Sequence, residues 1–209
     1  MVDEDLVGSL VRKPEYIRAG LDAQRKSIVL LKNETSKGRT LPASEGKRIF
    51  VDGLDVDQAK SFGNVVSSPD QADIIILYLP TVFNGNQAPG SNELIDKFLS
   101  GILPDGDLTY GSDILKKAET YSDYATLITV VDLNRPAILT ELNEISDGLI
   151  GTFGVYDSIL YEVIFGQFSP QGKLPFEIPS SMESVEHQKE DLPDDSESPI
   201  FEFGHGLTY

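Results

Sequence analysis

The sequence predicts an α/β fold, a three-layer αβα sandwich built on a mostly parallel sheet. Two almost continuously apolar runs, Ala72–Leu79 and Thr126–Leu133, are typical of strands buried on both faces of a parallel sheet. Segments with helical periodicity alternate with strand-like runs, which is the order that gives a sheet covered by helices on both sides. With 209 residues, 40% of them hydrophobic, the chain is long enough to form one substantial core.

The first part of the chain combines one long helical pattern with short strand patterns. Pro14 suits a first helical turn, and apolar residues then recur on one face, so we expect a helix over Pro14–Leu31. Arg48–Gly53 is rich in β-branched and aromatic residues and ends in glycine, which predicts a strand. A brief helix over Asp57–Phe62 and a strand over Asn64–Val66 are expected to follow.

The second part repeats the alternation of helices and strands. Beyond the run at Thr126–Leu133 we expect helices over Asp113–Tyr124, Ala137–Ile145 (opened by Pro136) and Asp157–Gln167 (capped by Asp157), and a strand over Gly148–Phe153. Ligands of such sheets bind where parallel strands end. The loops after Leu79, Leu133 and Phe153 are therefore the expected site.

Composition restricts the partners that the chain can have. Acidic residues number 34 and basic residues 17, so the net charge is −17. Nucleic acid and anionic membranes require concentrated positive charge and are not expected partners. There is no cysteine, the acidic start does not resemble a signal peptide, and no apolar run is long enough to span a bilayer. We expect a soluble domain located in the cytoplasm.

The C-terminal segment is rich in glycine, proline and aromatic residues. Ser169–Pro179 reads SPQGKLPFEIP, and the chain closes with FEFGHGLTY. Glycine and proline at this density indicate specific turns, and the aromatic residues provide groups that can be buried. We expect the segment 168–209 to wrap around and attach to the folded body.

These two C-terminal motifs resemble the end of family 3 glycoside hydrolases, the β-glucosidase type of enzyme. There a "G-[KR]-LP" turn precedes a closing "FG-x-GL-[ST]-Y". Gln24–Asn33, followed by Leu41-Pro42, is similar to the opening of the second domain in that family, and Ala72–Leu77 and Arg135–Leu139 resemble later segments of it. The resemblance implies that residues 23–209 form the flavodoxin-like C-terminal domain and that residues 1–22 begin a linker helix from the barrel side.

The resemblance also implies a division of labour between two domains. Members of the family are retaining hydrolases whose Asp nucleophile lies on a preceding (β/α)8 barrel, and the pattern of this chain does not encode such a barrel. Retaining hydrolysis needs two carboxylates roughly 5–5.5 Å apart. The expected partners are therefore a barrel, in the same or a separate chain, and a carbohydrate, with no cofactor. We expect the chain alone to be inactive and to self-associate through an uncovered apolar patch.

The family's acid/base Glu often lies in a "GEG-x-DR" pattern, which the corresponding region Pro80–Ser112 lacks. Glu93, Asp105 and Asp107 are the carboxylates that remain as acid/base candidates. Each has an alternative interpretation: Glu93 would suit a helix start, and Asp105 and Asp107 fit a turn. The acid/base is therefore not assigned by the resemblance.

Asp132 and Arg135 flank the end of a predicted central strand, where they could reach sugar hydroxyls. An ion pair that anchors the loop is the alternative. The two histidines, His187 and His205, show no metal-binding spacing, so no metal is expected. Two interpretations of the whole chain stay open: the second domain of a glycosidase, or a non-catalytic carbohydrate-binding or scaffolding module. An unrelated flavodoxin-like domain would require the paired end motifs to be coincidental, and we reject it.

Overall fold

A computed structural model of the protein has one six-stranded sheet with helices on both faces. It describes residues 13–35, 38–82, 106–189, 191–192 and 194–209, with Gly8 and Val11. The strands are β1 Val29–Lys32, β2 Glu34–Thr35, β3 Gly38–Arg39, β4 Arg48–Asp52, β5 Asn64–Val65, β6 Ile74–Leu79, β7 Thr126–Asp132 and β8 Gly148–Thr152. The helices are α1 Pro14–Ser27, α2 Val56–Ala59, α3 Ser112–Tyr124, α4 Thr140–Ile145, α5 Asp157–Ile164 and α6 Met182–His187, with a 3-10 turn at Pro69–Gln71.

The main sheet has the strand order β1-β8-β7-β6-β4-β5, and β2 and β3 form a separate hairpin. Strands β4 to β8 run parallel, whereas β1 runs antiparallel to β8 at one edge. The predicted three-layer sandwich with a mostly parallel sheet is confirmed. Because β5 lies on one side of β4 and β6 on the other, the order reverses at β4, as in doubly wound folds whose ligands bind beyond the carboxyl ends of the strands.

The core consists of two apolar layers separated by the sheet. Alternate residues of β6 point to opposite sides: Ile74 and Ile76 pack with α2 and α5, whereas Ile75 and Leu77 pack with α3 and α4. Covering both faces requires strands that are apolar throughout, which is why the sequence pattern identified them. No helix in the described ranges combines the length and the apolar character needed to cross a membrane.

The helix predicted over Pro14–Leu31 is too long. Helix α1 ends at Ser27, Ile28 is extended, and Val29–Lys32 is strand β1. The reason is burial, because Ile28 to Leu31 are all inaccessible to solvent whereas no residue of α1 is buried. Four consecutive residues can be buried together in a strand that is covered on both faces, but not in a helix that lies on the surface.

Two predictions about helix starts were also wrong. The helix expected from Ala137 begins at Thr140, because buried Ile138 is extended and bridges to Thr109. Asp157 does not cap its own helix. Its carboxylate instead accepts a hydrogen bond from the backbone nitrogen of Asp55 at 2.7 Å, a long-range contact that a local pattern does not reveal.

The C-terminal segment lies along the outer edge of β1. The backbone nitrogen of Leu207 donates to the Leu30 carbonyl at 2.8 Å, and that of Gly172 donates to the Ile28 carbonyl at 3.0 Å. At the last residue, the Tyr209 hydroxyl donates to the carbonyls of Val163 and Phe168. These contacts pair an edge strand that would otherwise expose backbone groups.

Gly172 approaches the chain so closely that a side chain has no room there. We expect Gly172→Ala to lower the free energy of unfolding by about 1–3 kcal/mol, the usual cost of overpacking. Its Cβ would lie 2.5 Å from the Ile28 carbonyl oxygen and 2.7 Å from that of Ser27. Urea unfolding measures the loss. Gly20→Ala in α1 is the control, since its Cβ meets nothing within 4 Å and alanine favours a helix. Equal stability of the two variants would contradict the close approach of the C-terminal segment.

Candidate ligand site at the carboxyl edge of the sheet

Polar side chains gather where three neighbouring parallel strands end. Asp132 is the last residue of β7, Thr152 is the last residue of β8, and the two are register partners. Tyr78 is the penultimate residue of β6 and pairs with Val130. The sheet therefore places these groups at one edge, which we call the carboxyl edge.

Asp132 is a buried carboxylate held by neutral donors. It is 9% exposed. The Tyr78 hydroxyl donates to Oδ2 at 3.3 Å, the Asn134 side-chain nitrogen donates to Oδ2 at 3.0 Å, and the Asn134 backbone nitrogen donates to Oδ1 at 3.3 Å. Burial raises the pKa of Asp132, and the bonds from Asn134 and Tyr78 oppose that shift without cancelling it. The Thr81 hydroxyl also faces this carboxylate and opposes the shift, but it lies outside hydrogen-bonding geometry.

Two tyrosines surround this carboxylate. Burial, reinforced by the negative charge of Asp132, raises the pKa of Tyr78 to about 12. The Tyr110 hydroxyl donates to the Pro80 carbonyl at 3.3 Å, and burial, with Asp132 and Tyr78 nearby, raises the pKa of Tyr110 as well. Both phenols therefore stay protonated at neutral pH and act as hydrogen-bond donors.

Three buried polar atoms at this edge have no hydrogen-bond partner within the described residues. They are the hydroxyl oxygens of Thr81 and Thr152 and the Nη1 atom of Arg135. They belong to residues at or just after the ends of β6, β8 and β7. An unpaired buried polar group costs about 1–3 kcal/mol, so such groups are rare in native proteins unless something else pairs with them. These three atoms can therefore form hydrogen bonds with a polar partner.

The loops after β4 and β8 are joined above one face of this edge. Asp157 accepts from the backbone nitrogen of Asp55, and the Tyr161 hydroxyl donates to the Asp55 carbonyl at 3.0 Å. Gly53 adopts φ +93°, and a Cβ there would lie 2.8 Å from the Tyr78 carbonyl oxygen, so only glycine fits. The bonds to Asp55 fix the positions of the loops relative to Tyr78.

A second carboxylate at this edge already has partners. Asp52 ends β4 and points to the opposite face of the sheet, where its Oδ2 accepts from the Tyr121 hydroxyl at 3.0 Å and from Lys117 Nζ at 3.2 Å. These bonds attach α3 to the sheet. In the part of the chain that the structure describes, no group of three His, Asp or Glu side chains could hold a metal ion.

The structure places Asp132 and Arg135 at the carboxyl edge, but it does not pair them. The ion pair considered as an alternative is absent from the described residues, and Nη1 of Arg135 is left without a partner. Asp107 is exposed, and its Oδ1 accepts from the Thr109 backbone nitrogen at 2.9 Å, as in a turn. Glu93 and Asp105 lie outside the described residues. The acid/base roles of Glu93, Asp105 and Asp107 therefore stay predictions.

Tyr78, Tyr110, Asn134 and the two threonines were not identified from the sequence. Alternation along β6 could have indicated Tyr78, which lies two residues after Ile76 and so on the face that Asp132 also occupies. Thr152 ends an apolar strand and could have been indicated in the same way as Asp132, whereas no such signal marks Thr81. His205, considered above for a metal, stacks on Phe201 and makes a ring-nitrogen hydrogen bond to the Leu31 carbonyl at 2.9 Å, which is a structural role.

Comparison with known proteins gives the class of this domain. Residues 123–209 match the family model described as the glycosyl hydrolase family 3 C-terminal domain. Beta-glucosidase C of Emericella nidulans is 31% identical over 210 residues, which cover 100% of this chain and 32% of that protein. The periplasmic beta-glucosidase/beta-xylosidase of Dickeya chrysanthemi is 32% identical over 212 residues, covering 100% of this chain and 31% of that protein. Over residues 123–209, the chain therefore has the sequence of a family 3 C-terminal domain.

Solved structures show the same fold. The crystal structure of beta-glucosidase from Listeria innocua aligns with a TM-score of 0.70 at 17% identity, over 100% of this chain and 35% of that one. Beta-glucosidase 3B from Thermotoga neapolitana, solved in complex with glucose, aligns with a TM-score of 0.69 at 14% identity, over 94% and 38%. The chain spans about a third of the length of the curated relatives it matches, which is consistent with a domain joined to others.

Burial of Asp132 predicts a distinct pH dependence of stability. Because its pKa is raised in the folded state, its contribution to stability is complete below the ordinary value of 3.8 and is lost as the pH rises through the folded-state pKa. Asp132→Asn removes this loss. We therefore expect the stability of Asp132→Asn relative to the unmodified chain to increase as the pH rises from about 4 to 7, measured by urea unfolding at each pH.

Asp73→Asn is the matched control for this measurement. Hydrogen bonds from Arg48 lower the pKa of Asp73 to about 2, so its contribution is lost only at lower pH. Its stability difference from the unmodified chain should be flat over the same range. A flat difference for Asp132→Asn as well would contradict the environment described for Asp132.

Proposed function

We propose that this domain contributes the carboxyl edge of its sheet to the sugar pocket of a β-glucosidase-type glycoside hydrolase. Hydrolysis of β-glycosidic bonds takes place when the domain is docked on a (β/α)8 barrel that carries the Asp nucleophile. The observation that carries this proposal is a set of buried groups at the carboxyl edge, on Thr81, Arg135 and Thr152, that have no partner among the residues that the structure describes. Sugar hydroxyls both donate and accept hydrogen bonds, so they can satisfy all three groups.

Each polar group has a role in this arrangement. The Asp132 carboxylate accepts hydrogen bonds from sugar hydroxyls, and the Arg135 guanidinium donates to them. Tyr78 keeps the carboxylate in place through its bond to Oδ2. Asp132 and Arg135 are thus proposed as substrate-binding residues. The acid/base is proposed among Glu93, Asp105 and Asp107.

The attacking carboxylate must come from outside this edge. A retaining mechanism needs two carboxylates about 5–5.5 Å apart. Of the two carboxylates that end strands at this edge in the described residues, Asp52 is paired with Lys117 and faces the other side of the sheet. Asp52 therefore does not lie beside Asp132, and no other described strand at this edge ends in a carboxylate. A barrel would supply the nucleophile, and the acid/base proposed among Glu93, Asp105 and Asp107 would complete the pair.

An apolar groove beside the carboxyl edge supports docking of such a barrel. The groove encloses about 490 Å³ and is lined by residues that include Pro136 and Phe176. Leu192 and Phe203 line it as well and are largely exposed. Pro136 directly follows Arg135, so the groove continues from the carboxyl edge. Exposed apolar surface of this kind marks an interface, and the same surface would let isolated domains self-associate.

We also propose the domain boundaries that the resemblance implies. Residues 1–22 begin the connection from the barrel, residues 23–209 form the C-terminal domain, and the segment 168–209 wraps around it. Helix α1, Pro14–Ser27, runs across the boundary at residue 22 and is attached to α5 by a double hydrogen bond between Arg25 and Glu162, at 2.5 and 3.0 Å. The connecting segment would therefore leave the domain as a helix.

The proposal predicts activity by complementation. Against aryl β-glucosides, the chain alone should release no product, whereas a mixture with a matching barrel domain should be active. In that mixture, Arg135→Ala should lower kcat/KM by about tenfold or more, because a charged hydrogen bond worth about 1.5–3 kcal/mol is lost. Arg48→Ala is the control, since Arg48 begins β4 at the other edge of the sheet. Sugar release by the purified chain alone, with contaminating hydrolases excluded, would contradict the proposal.

A further inference from the structure

A second cleft lies at the opposite edge of the sheet, where the parallel strands begin. It encloses about 470 Å³, a volume within the range of small-molecule sites. Its lining includes Ile74 at the start of β6, Thr126 at the start of β7 and Asp147 just before β8. We call it the amino-edge cleft. The seven residues of β7 separate it from the carboxyl edge by roughly 20 Å.

The two walls of the amino-edge cleft come from opposite faces of the sheet. One wall is the segment that leads from β3 towards β4, which is attached to the end of α5 by a bond from the Ala43 backbone nitrogen to the Ile164 carbonyl at 2.8 Å. The other wall is the end of α3, which packs on the other face. The cleft is therefore formed by the architecture itself and not by a single loop.

These walls carry opposite charges, and Asp73, which also lines the cleft, is paired with Arg48 at 2.7 Å. Arg39 and Lys47 line one wall and Asp123 lines the other, all three exposed. Within the described ranges, no ion pair crosses the cleft. Between the walls lies the Asp147 carboxylate, whose Oδ2 accepts from the Leu127 backbone nitrogen at 3.0 Å. Donors and acceptors thus face each other across a space large enough for a ligand.

A neutral ligand rich in hydroxyl groups suits this arrangement. A hydroxyl is uncharged and both donates and accepts, so adjacent hydroxyls can bond to a carboxylate on one side and to a cation on the other. Mixed charges disfavour a polyanion. Tyr124 also lines the cleft and is 51% exposed, so its ring is accessible to the C–H side of a sugar ring. Ile74, which is 7% exposed, adds a small apolar surface to the lining.

We propose that the amino-edge cleft binds a neutral oligosaccharide and is a second, non-catalytic carbohydrate site. The inference goes beyond the proposed function, because no residue of the carboxyl edge takes part in it. Such a site would let the domain hold one end of a glycan, or a neighbouring glycan chain, while a bond is cleaved at the pocket that includes the carboxyl edge. The non-catalytic carbohydrate-binding module that the sequence analysis left open would then have its binding site at the amino-edge cleft.

The test is a titration of the full chain with cellotriose, followed by the amide signals of Thr40, Asp123 and Asp147 in NMR spectra and by calorimetry. We expect these signals to shift and Tyr124→Ala to weaken the affinity by about tenfold, equivalent to about 1.4 kcal/mol. Tyr16→Ala is the matched control, since Tyr16 is 55% exposed on α1 and lies outside the cleft. It should leave the affinity unchanged. Thermal unfolding of both variants confirms that they are folded.

Four results would overturn the proposal, the last of them a loss of binding in high salt. The first is the absence of shifts at the cleft, and the second is an equal loss of affinity in Tyr16→Ala. The third is binding that Asp132→Asn abolishes and Tyr124→Ala does not affect, which would place the sugar at the carboxyl edge and so support the proposed function alone. Binding that persists in high salt is the expected result for a neutral ligand, and its loss there would indicate recognition of an ion instead.

Discussion

Burial of the parallel strands on both faces is the constraint on which the other features of this domain depend. The side chains of β7 from Leu127 to Val131 are all inaccessible to solvent, so none of them can reach a ligand. Polar chemistry is therefore confined to the two ends of the strands. Asp132 is the first carboxylate after this buried run, and Asp147 immediately precedes the next strand. Both candidate ligand sites lie at the edges for this reason.

The carboxyl edge combines a fixed carboxylate with polar groups that have no partner within the described residues. Its carboxylate is buried and kept in place by Tyr78 and Asn134, yet neighbouring groups on Thr81, Arg135 and Thr152 lack partners within the described chain. Native proteins tolerate few such groups, because each costs free energy unless it is paired. In the proposed function, a docked barrel and a bound sugar supply the partners that these groups lack.

Completion of the sheet depends on the C-terminal segment. Strand β1 is the antiparallel edge strand, and the segment that ends at Tyr209 bonds to its outer side through Gly172 and Leu207. Sequence positions almost 180 residues apart are thus joined, so the closing motif is a structural element of the sheet as much as a family signature. The same burial explains why Ile28–Leu31, which continues a helical pattern, is instead extended.

The sequence by itself determined the layer architecture, the central strands and the resemblance carried by the C-terminal motifs. Those features are encoded locally, in apolar runs, in turn residues and in short motifs. It also indicated Asp132 and Arg135, because a polar residue that ends a buried strand is visible in the sequence. Only the tertiary structure decided that Tyr78 bonds to Asp132, that Nη1 of Arg135 has no partner within the described residues, and that Arg39 and Asp123 line the same cleft. Those facts depend on strand order and register, which bring distant residues together and leave no periodic signal in the chain.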